Sequence, residues 1–347
     1  MKYLAILIMT FFVISCEEEV AKNDPIETKI TKLSSNEYFL GDTISIEGED
    51  FGTLSSDVML FFVGNSDTIF ITPYYKNITE WSPTKIKFIN DLDFEANFVY
   101  VGFNGKPYDS IPIKNYLYPK VEVVEIASGT YLQGNADGFS DERITRNVTI
   151  SKTLLVARYE LSQRLWAFVY NYNNSPRVND NLPISNVTWN EAILYCNELS
   201  KMYGLDTCYI KEDNQYNFNL VAKGWRLPTE AEWEYLANIS NVEATQLSQF
   251  AWYNDNSGYN AKILGTKRID QAGLYDLFGN VWEWCYDDYT SEYASDDTID
   301  PINIKSNSRK VRRGGSYQSG ELYCRKSNRT TANNSIVSTG IRLVRNK

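Results

Sequence analysis

The chain has 347 residues, enough for about two domains at ~100–200 residues each, and its 43% hydrophobic and 22% charged residues can bury a sizeable core. It contains no histidine, which excludes Ser-His-Asp and Cys-His catalysis, His-ligated zinc or iron, and imidazole switches. The net charge of −10 gives no general field to attract phosphates, so no nucleic-acid partner is expected.

Residues 1–16 read MKYLAILIMTFFVISC: basic Lys2, an apolar run from Tyr3 to Ile14, small Ser15, then Cys16. The run is short for a bilayer span and has the form of a secretory signal. Its tail, Val13-Ile14-Ser15-Cys16, resembles a bacterial lipobox, which implies removal of residues 1–15 and acylation of the Cys16 thiol. Acyl chains contribute roughly 0.8 kcal/mol per buried methylene and multiple chains hold firmly, so the expected partner is a lipid bilayer. The expected location is the bacterial cell envelope, lipid-anchored at the outer membrane and facing the periplasm or the surface. Residues 16–28 make an acidic tether. Its glutamates resemble the surface-export signal of Bacteroidetes lipoproteins, with a solvated linker as the alternative.

Residues 29–117 alternate in short runs: Thr43 to Ile46, Val58 to Val63, Ile69 to Ile71, Lys85 to Ile89 and Phe98 to Phe103. Period-two alternation with Gly, Asn and Asp punctuation predicts a small all-β sandwich. Gly41-Asp42-Thr43-Ile44-Ser45-Ile46-Glu47-Gly48, then Asp50-Phe51-Gly52 and Trp81-Ser82-Pro83-Thr84-Lys85-Ile86-Lys87-Phe88, resemble a TIG/IPT immunoglobulin-like domain. That resemblance implies spacing or protein contact.

A second domain is expected over residues 118–347. Thr188-x-x-Glu191 and Thr229-x-x-Glu232 are capping-box patterns, followed by apolar residues at helical spacing. Ser162 precedes Leu165, Trp166, Val169 and Tyr170 in the same manner. Three helices on a loop-rich α+β body are predicted, with Asn254 to Asn260 a loop. Glu230, Glu232 and Glu234 look like an acid/base cluster, but residues two apart point to different helix faces.

Several motifs then fall in one order: Gly129-Thr130-Tyr131-Leu132-Gln133-Gly134, Asn186-Val187-Thr188-Trp189-Asn190-Glu191-Ala192, and Trp225-Arg226-Leu227-Pro228-Thr229-Glu230-Ala231-Glu232-Trp233-Glu234-Tyr235. Gly273 to Trp284 (GLYDLFGNVWEW), Arg313-Gly314-Gly315-Ser316-Tyr317 and Gly340-Ile341-Arg342 complete the set. Together they resemble the formylglycine-generating enzyme (sulfatase-modifying factor) family. This implies an irregular α+β fold related to C-type lectins. On local pattern alone, GNVWEW reads as a turn and strand, and RGGS as a bend leading into a strand.

In catalytic members, two cysteines after the RGGS motif hold copper(I), for which soft thiolates are suited. The matching positions here are Ser319 and Cys324, and a hydroxyl is a hard, poor ligand, so copper is not expected. The resemblance also implies two bridges, Cys196–Cys208 and Cys285–Cys324, leaving Cys16 as the lipidated fifth cysteine. It implies a calcium site through the Asp276 side chain and the carbonyls of Leu277, Gly279 and Val281, hard oxygen ligands all, against the plainer reading of Asp276 as a turn cap. By position, ligand contacts are expected at Trp282, Arg313, Ser316, Tyr317 and Ser319. The expected function is a non-oxidising lipoprotein domain that binds a protein or glycan. The alternatives are an oxidase acting on a cysteine or serine of an exported partner, and a structural part of a gliding or secretion machine.

Overall fold

In a computed structural model the described residues are 29–35, 37–39, 41–51, 58–64, 68–71, 77–89, 96–103, 106–116, 118–213, 215–293, 298–305, 309–332 and 337–347. The signal, Cys16 and the whole tether lie outside them. No described helix is long and apolar enough to cross a membrane. The chain divides into two compact units, Met1–Tyr38 with Asp42–Asn115, and Phe39–Gly41 with Tyr116–Lys347.

Apart from the end residues Phe39 and Tyr116, the first unit is built from β1 (Lys29–Leu33), β2 (Glu37–Phe39), β3 (Thr43–Glu49), β4 (Val58–Gly64), β5 (Thr68–Ile71), β6 (Ile78–Ser82), β7 (Lys85–Ile89), β8 (Ala96–Phe103), β9 (Lys106–Pro112) and β10 (Lys114–Tyr116). Two four-stranded antiparallel sheets, ordered β1-β3-β7-β6 and β5-β4-β8-β9, carry its core. Alternation does the work here: in β3, Ile44 and Ile46 are buried while Thr43 and Glu49 face water. Ile44, Ile46, Leu60, Phe62, Phe88 and Val99 meet in one apolar cluster.

The second unit has short sheets and few helices. Its strands are β11 (Val123–Ile126), β12 (Gly129–Gln133), β13 (Arg146–Ile150), β14 (Leu154–Ala157), β15 (Tyr209–Glu212), β16 (Gln215–Phe218), β17 (Trp282–Asp288), β18 (Lys310–Arg313), β19 (Arg329–Ala332), β20 (Thr339–Gly340) and β21 (Val344–Asn346). The central sheet is ordered β19-β18-β17-β20, with β17–β20 the parallel pair. Every residue of β17 is buried, which is why its sequence, Trp282 to Asp288, shows no two-residue alternation.

The helices are α1 (Gln163–Ala167), α2 (Trp189–Met202), α3 (Glu230–Ser240), α4 (Leu247–Phe250) and α5 (Asn254–Ser257). Both expected capping boxes form, at Thr188 with Glu191 and at Thr229 with Glu232. Helix α1, capped by Ser162, ends before Val169 and Tyr170. Helix α5 is a single turn inside the stretch expected to be loop, closed by the Tyr253 amide donating to Asn256 Oδ1 at 2.9 Å.

The three glutamates of α3 are structural, and each takes its own arginine. Glu232 binds Arg226 at 2.6 and 2.8 Å, Glu230 binds Arg329, and Glu234 binds Arg313, all buried. Glu283 of β17 binds Arg342 in the same way and also accepts the Trp233 indole N–H at 2.7 Å. The side chains two apart do diverge as helical geometry requires, and the sheet and C-terminal strands supply a partner in each direction.

The expected disulfides are corrected by the structure: Cys196, Cys208, Cys285 and Cys324 are buried free thiols. Cys208 Sγ points at the Gly224 carbonyl at 3.3 Å, and the Cys324 sulfur takes a backbone hydrogen bond from Ser316. Cys196 and Cys208 share one apolar core, and Cys285 and Cys324 share the other. They act there as small apolar fillers.

Candidate functional site

The residues expected to touch a ligand converge on the end of the central sheet. From β18 the chain turns sharply through Gly314 (φ +96°) and Gly315 (φ +80°), and does not enter a strand. A Cβ on Gly315 would stand 2.5 Å from Cys324 Sγ, so only glycine lets the bend lie against that thiol. Residues 316–319 then close a tight turn. The Ser316 amide lies 3.0 Å from Ser319 Oγ, the two hydroxyls are 3.0 Å apart, and the Ser319 amide donates to the Ser316 carbonyl at 2.9 Å. A 3-10 turn, Glu321–Tyr323, carries the chain to Cys324.

Neighbouring segments lock this turn. The Tyr317 amide donates to the Asn280 carbonyl at 2.7 Å, Ser257 Oγ donates to the Tyr317 carbonyl at 2.7 Å, and the Asn254 amide donates to the Ser319 carbonyl at 3.0 Å. Gln318 is exposed and Ser319 half-buried, whereas Ser316, Tyr317 and Trp282 are almost fully enclosed. Trp282 carries the Arg312 guanidinium 4.7 Å above its ring.

Arg313 corrects the sequence reading. It has no exposed surface, its guanidinium binds Glu234, and it donates to the carbonyls of Ser327 at 2.9 Å, Asn328 at 2.8 Å and Lys326 at 3.1 Å. It therefore holds the segment after Cys324 against α3, with no surface left exposed.

The pair Ser319 and Cys324 does not fit copper(I). One of the two donors is a hydroxyl, a hard and poor ligand for that ion, which leaves a single buried sulfur at the two positions. A soft, anionic donor pair is absent from these two positions.

The segment Asp276 to Val281 suits a hard cation better. Asp276 is buried in the left-handed conformation (φ 54°), with Oδ2 accepting the Gly265 amide at 2.7 Å. Its Oδ1 is buried and has no hydrogen-bond partner, and burial raises its carboxyl to about 6. A calcium ion coordinated by Oδ1 and nearby carbonyls would satisfy that oxygen. No cluster of three or more Asp, Glu, Cys or His suited to a metal occurs among the described residues, so backbone oxygens would have to complete such a site. Sequence reasoning missed Glu160, which braces this segment. Its carboxylate accepts the Val281 amide at 2.9 Å and the Asn280 side chain at 2.7 Å. A lone glutamate in Arg158-Tyr159-Glu160-Leu161 carries no pattern that foretells contacts 120 residues away.

A domain of short sheets and few helices, pinned by buried Glu–Arg pairs and ending in a glycine bend beside a paired-residue site, defines the class. The chain belongs to the sulfatase-modifying factor enzyme 1-like domain family, whose sequence profile matches residues 113–347. It is 29% identical over 201 residues to the chaperone protein LppX of Paenibacillus barcinonensis, covering 47% of this chain and 70% of that one. It is 30% identical over 168 residues to the formylglycine-generating enzyme of Mus musculus, covering 42% of this chain but only 37% of the mouse protein. Among solved structures it is similar to Treponema denticola variable protein 1, with a TM-score of 0.60 and 28% identity over 65% of this chain and 95% of that one.

Proposed function

We propose that the chain is an exported, lipid-anchored binding protein. In this reading an immunoglobulin-like TIG/IPT unit, tethered through acylated Cys16, carries a sulfatase-modifying-factor domain that engages a protein or glycan without oxidising it. The observation that carries the reading is the donor pair: Ser319 stands where a thiolate is needed, which leaves Cys324 as a lone buried sulfur. The name of the similar chaperone LppX favours a protein ligand over a glycan. Contacts fall on Ser319 and its exposed neighbour Gln318, with the edges of Trp282 and Tyr317 behind them. In the same reading, calcium at Asp276, Leu277, Gly279 and Val281 stiffens the loop that the Tyr317 amide bonds to at Asn280.

The test incubates the purified chain with copper, oxygen and a peptide bearing a sulfatase-type cysteine, and follows aldehyde formation by mass spectrometry. No conversion is expected. Turnover that survives Ser319→Ala but not Cys324→Ala would overturn the reading in favour of an oxidase.

A further inference from the structure

A second feature of the same unit is independent of how Ser319 is read. A cavity of about 320 Å³ opens beside the 3-10 turn after the glycine bend, within the ~300–1,000 Å³ typical of ligand pockets. One side of it is apolar, formed by Val242, Leu247, Phe278 and Cys324, three of which are at most 4% exposed, while the rest of the lining is polar or charged. At its mouth Leu322 is 62% exposed, and next to it Tyr323 is 48% exposed with its ring 6.0 Å from that of Phe139, itself 41% exposed. Large exposed side chains grouped around a cavity mark an interaction surface, whereas scattered ones do not.

The charges at the rim are unequal in availability. Arg325 is engaged: it binds Glu142 at 2.8 and 2.9 Å and lies 4.9 Å from the Phe139 ring centre. Lys326 is turned onto the Asn238 side chain at 3.2 Å. The carboxylates of Glu243 and Glu321, both exposed lining residues, have no hydrogen-bond or ion-pair partner among the described residues. Asn238 is neutral, so the Lys326 charge is uncompensated as well, and the two carboxylates outweigh this one ammonium, which leaves the mouth net negative.

We propose that this cavity receives a bulky apolar side chain of a partner polypeptide, flanked on the partner by lysine or arginine that pairs with Glu243 and Glu321. The apolar side of the pocket supplies the anchor site, as at interfaces where one buried side chain carries much of the binding. The carboxylates choose partners by charge and accelerate encounter.

The proposal is tested by calorimetry on the whole chain in detergent, with acetyl-Lys-Gly-Phe-Gly-Lys-amide as the probe. Saturable one-to-one binding is expected. Peptides with serine in place of the phenylalanine, or glutamates in place of the lysines, should bind about tenfold more weakly, and the charge preference should fade in 0.5 M salt. Ala244→Trp, at an exposed lining position, should abolish binding by filling the mouth. Glu243→Lys with Glu321→Lys, both on the surface, should reverse the preference toward the acidic peptide. Absence of saturable binding, or binding that neither variant changes, overturns the proposal. Aldehyde formation on a sulfatase-type peptide is read separately from binding of this probe, so failure here and failure of the non-oxidising reading are distinguishable.

Discussion

Replacing Arg313 by methionine separates a structural arginine from a ligand-binding one. The guanidinium is fully buried and donates to Glu234 and to three carbonyls. Its loss strands the Glu234 carboxylate, which retains only the Gly134 amide at 2.7 Å and the Tyr293 hydroxyl at 3.0 Å. Breaking a buried pair from one side costs about 3–5 kcal/mol. At about 2–4 °C per kcal/mol for a domain of this size, the melting temperature should fall by roughly 10 °C. Seven of the eight tryptophans lie in the second unit, so a thermal melt followed by tryptophan fluorescence reads the relevant transition. Burial already raises the Glu234 carboxyl and Arg313 pulls it back, so without Arg313 the group should take up a proton more readily. The deficit of Arg313→Met should therefore shrink at pH 5. Adding Glu234→Met removes the stranded charge and should recover a substantial part of the loss, giving a coupling of about 0.5–3 kcal/mol in the cycle. An Arg313→Met protein that melts with the parent yet loses its ligand would refute the reasoning, as would fully additive costs.

Asp287 makes stability depend on pH. Burial, with Glu230 nearby, raises its folded carboxyl to about 7 from an ordinary value near 3.8. The folded state therefore holds more protons than the unfolded one between about 4 and 7, so this group's contribution favours folding at low pH and is lost as pH rises through 7. Asp287→Asn should flatten the melting temperature between those limits, and an unchanged slope would contradict it. Gly314→Ala should destabilise the second unit by at least ~1 kcal/mol. Its Cβ would meet the Leu277 carbonyl at 2.9 Å in a backbone held at φ +96°. Denaturant melts by tryptophan fluorescence check this, and a neutral result would mean the bend can move.

Much of the second unit was legible because its signals are local. Thr188 and Thr229 announce their helices three residues ahead of Glu191 and Glu232, since a cap needs only one turn of chain to form. The positions matching the copper ligands were likewise readable by counting from Ser316 to Ser319 and Cys324. What local pattern concealed was the purpose of the charged residues. Glu230 and Arg329 are 99 residues apart, and Glu234 and Arg313 are 79 apart. An arginine in a glycine-rich motif looks like a contact residue until its partners are known.

The sequence by itself determined the family, the order of the motifs, the absence of histidine and the hydroxyl at Ser319. Tertiary structure decided what those residues face. It put Arg313 inside, left the four described cysteines as unpaired thiols, and gathered Val242, Phe278 and Cys324 around one cavity. Covalent composition and short-range hydrogen bonding are fixed within a turn or two of chain. Burial and pairing depend on which distant segments arrive, and here that is set by the packing of α3 and β17 against the C-terminal strands.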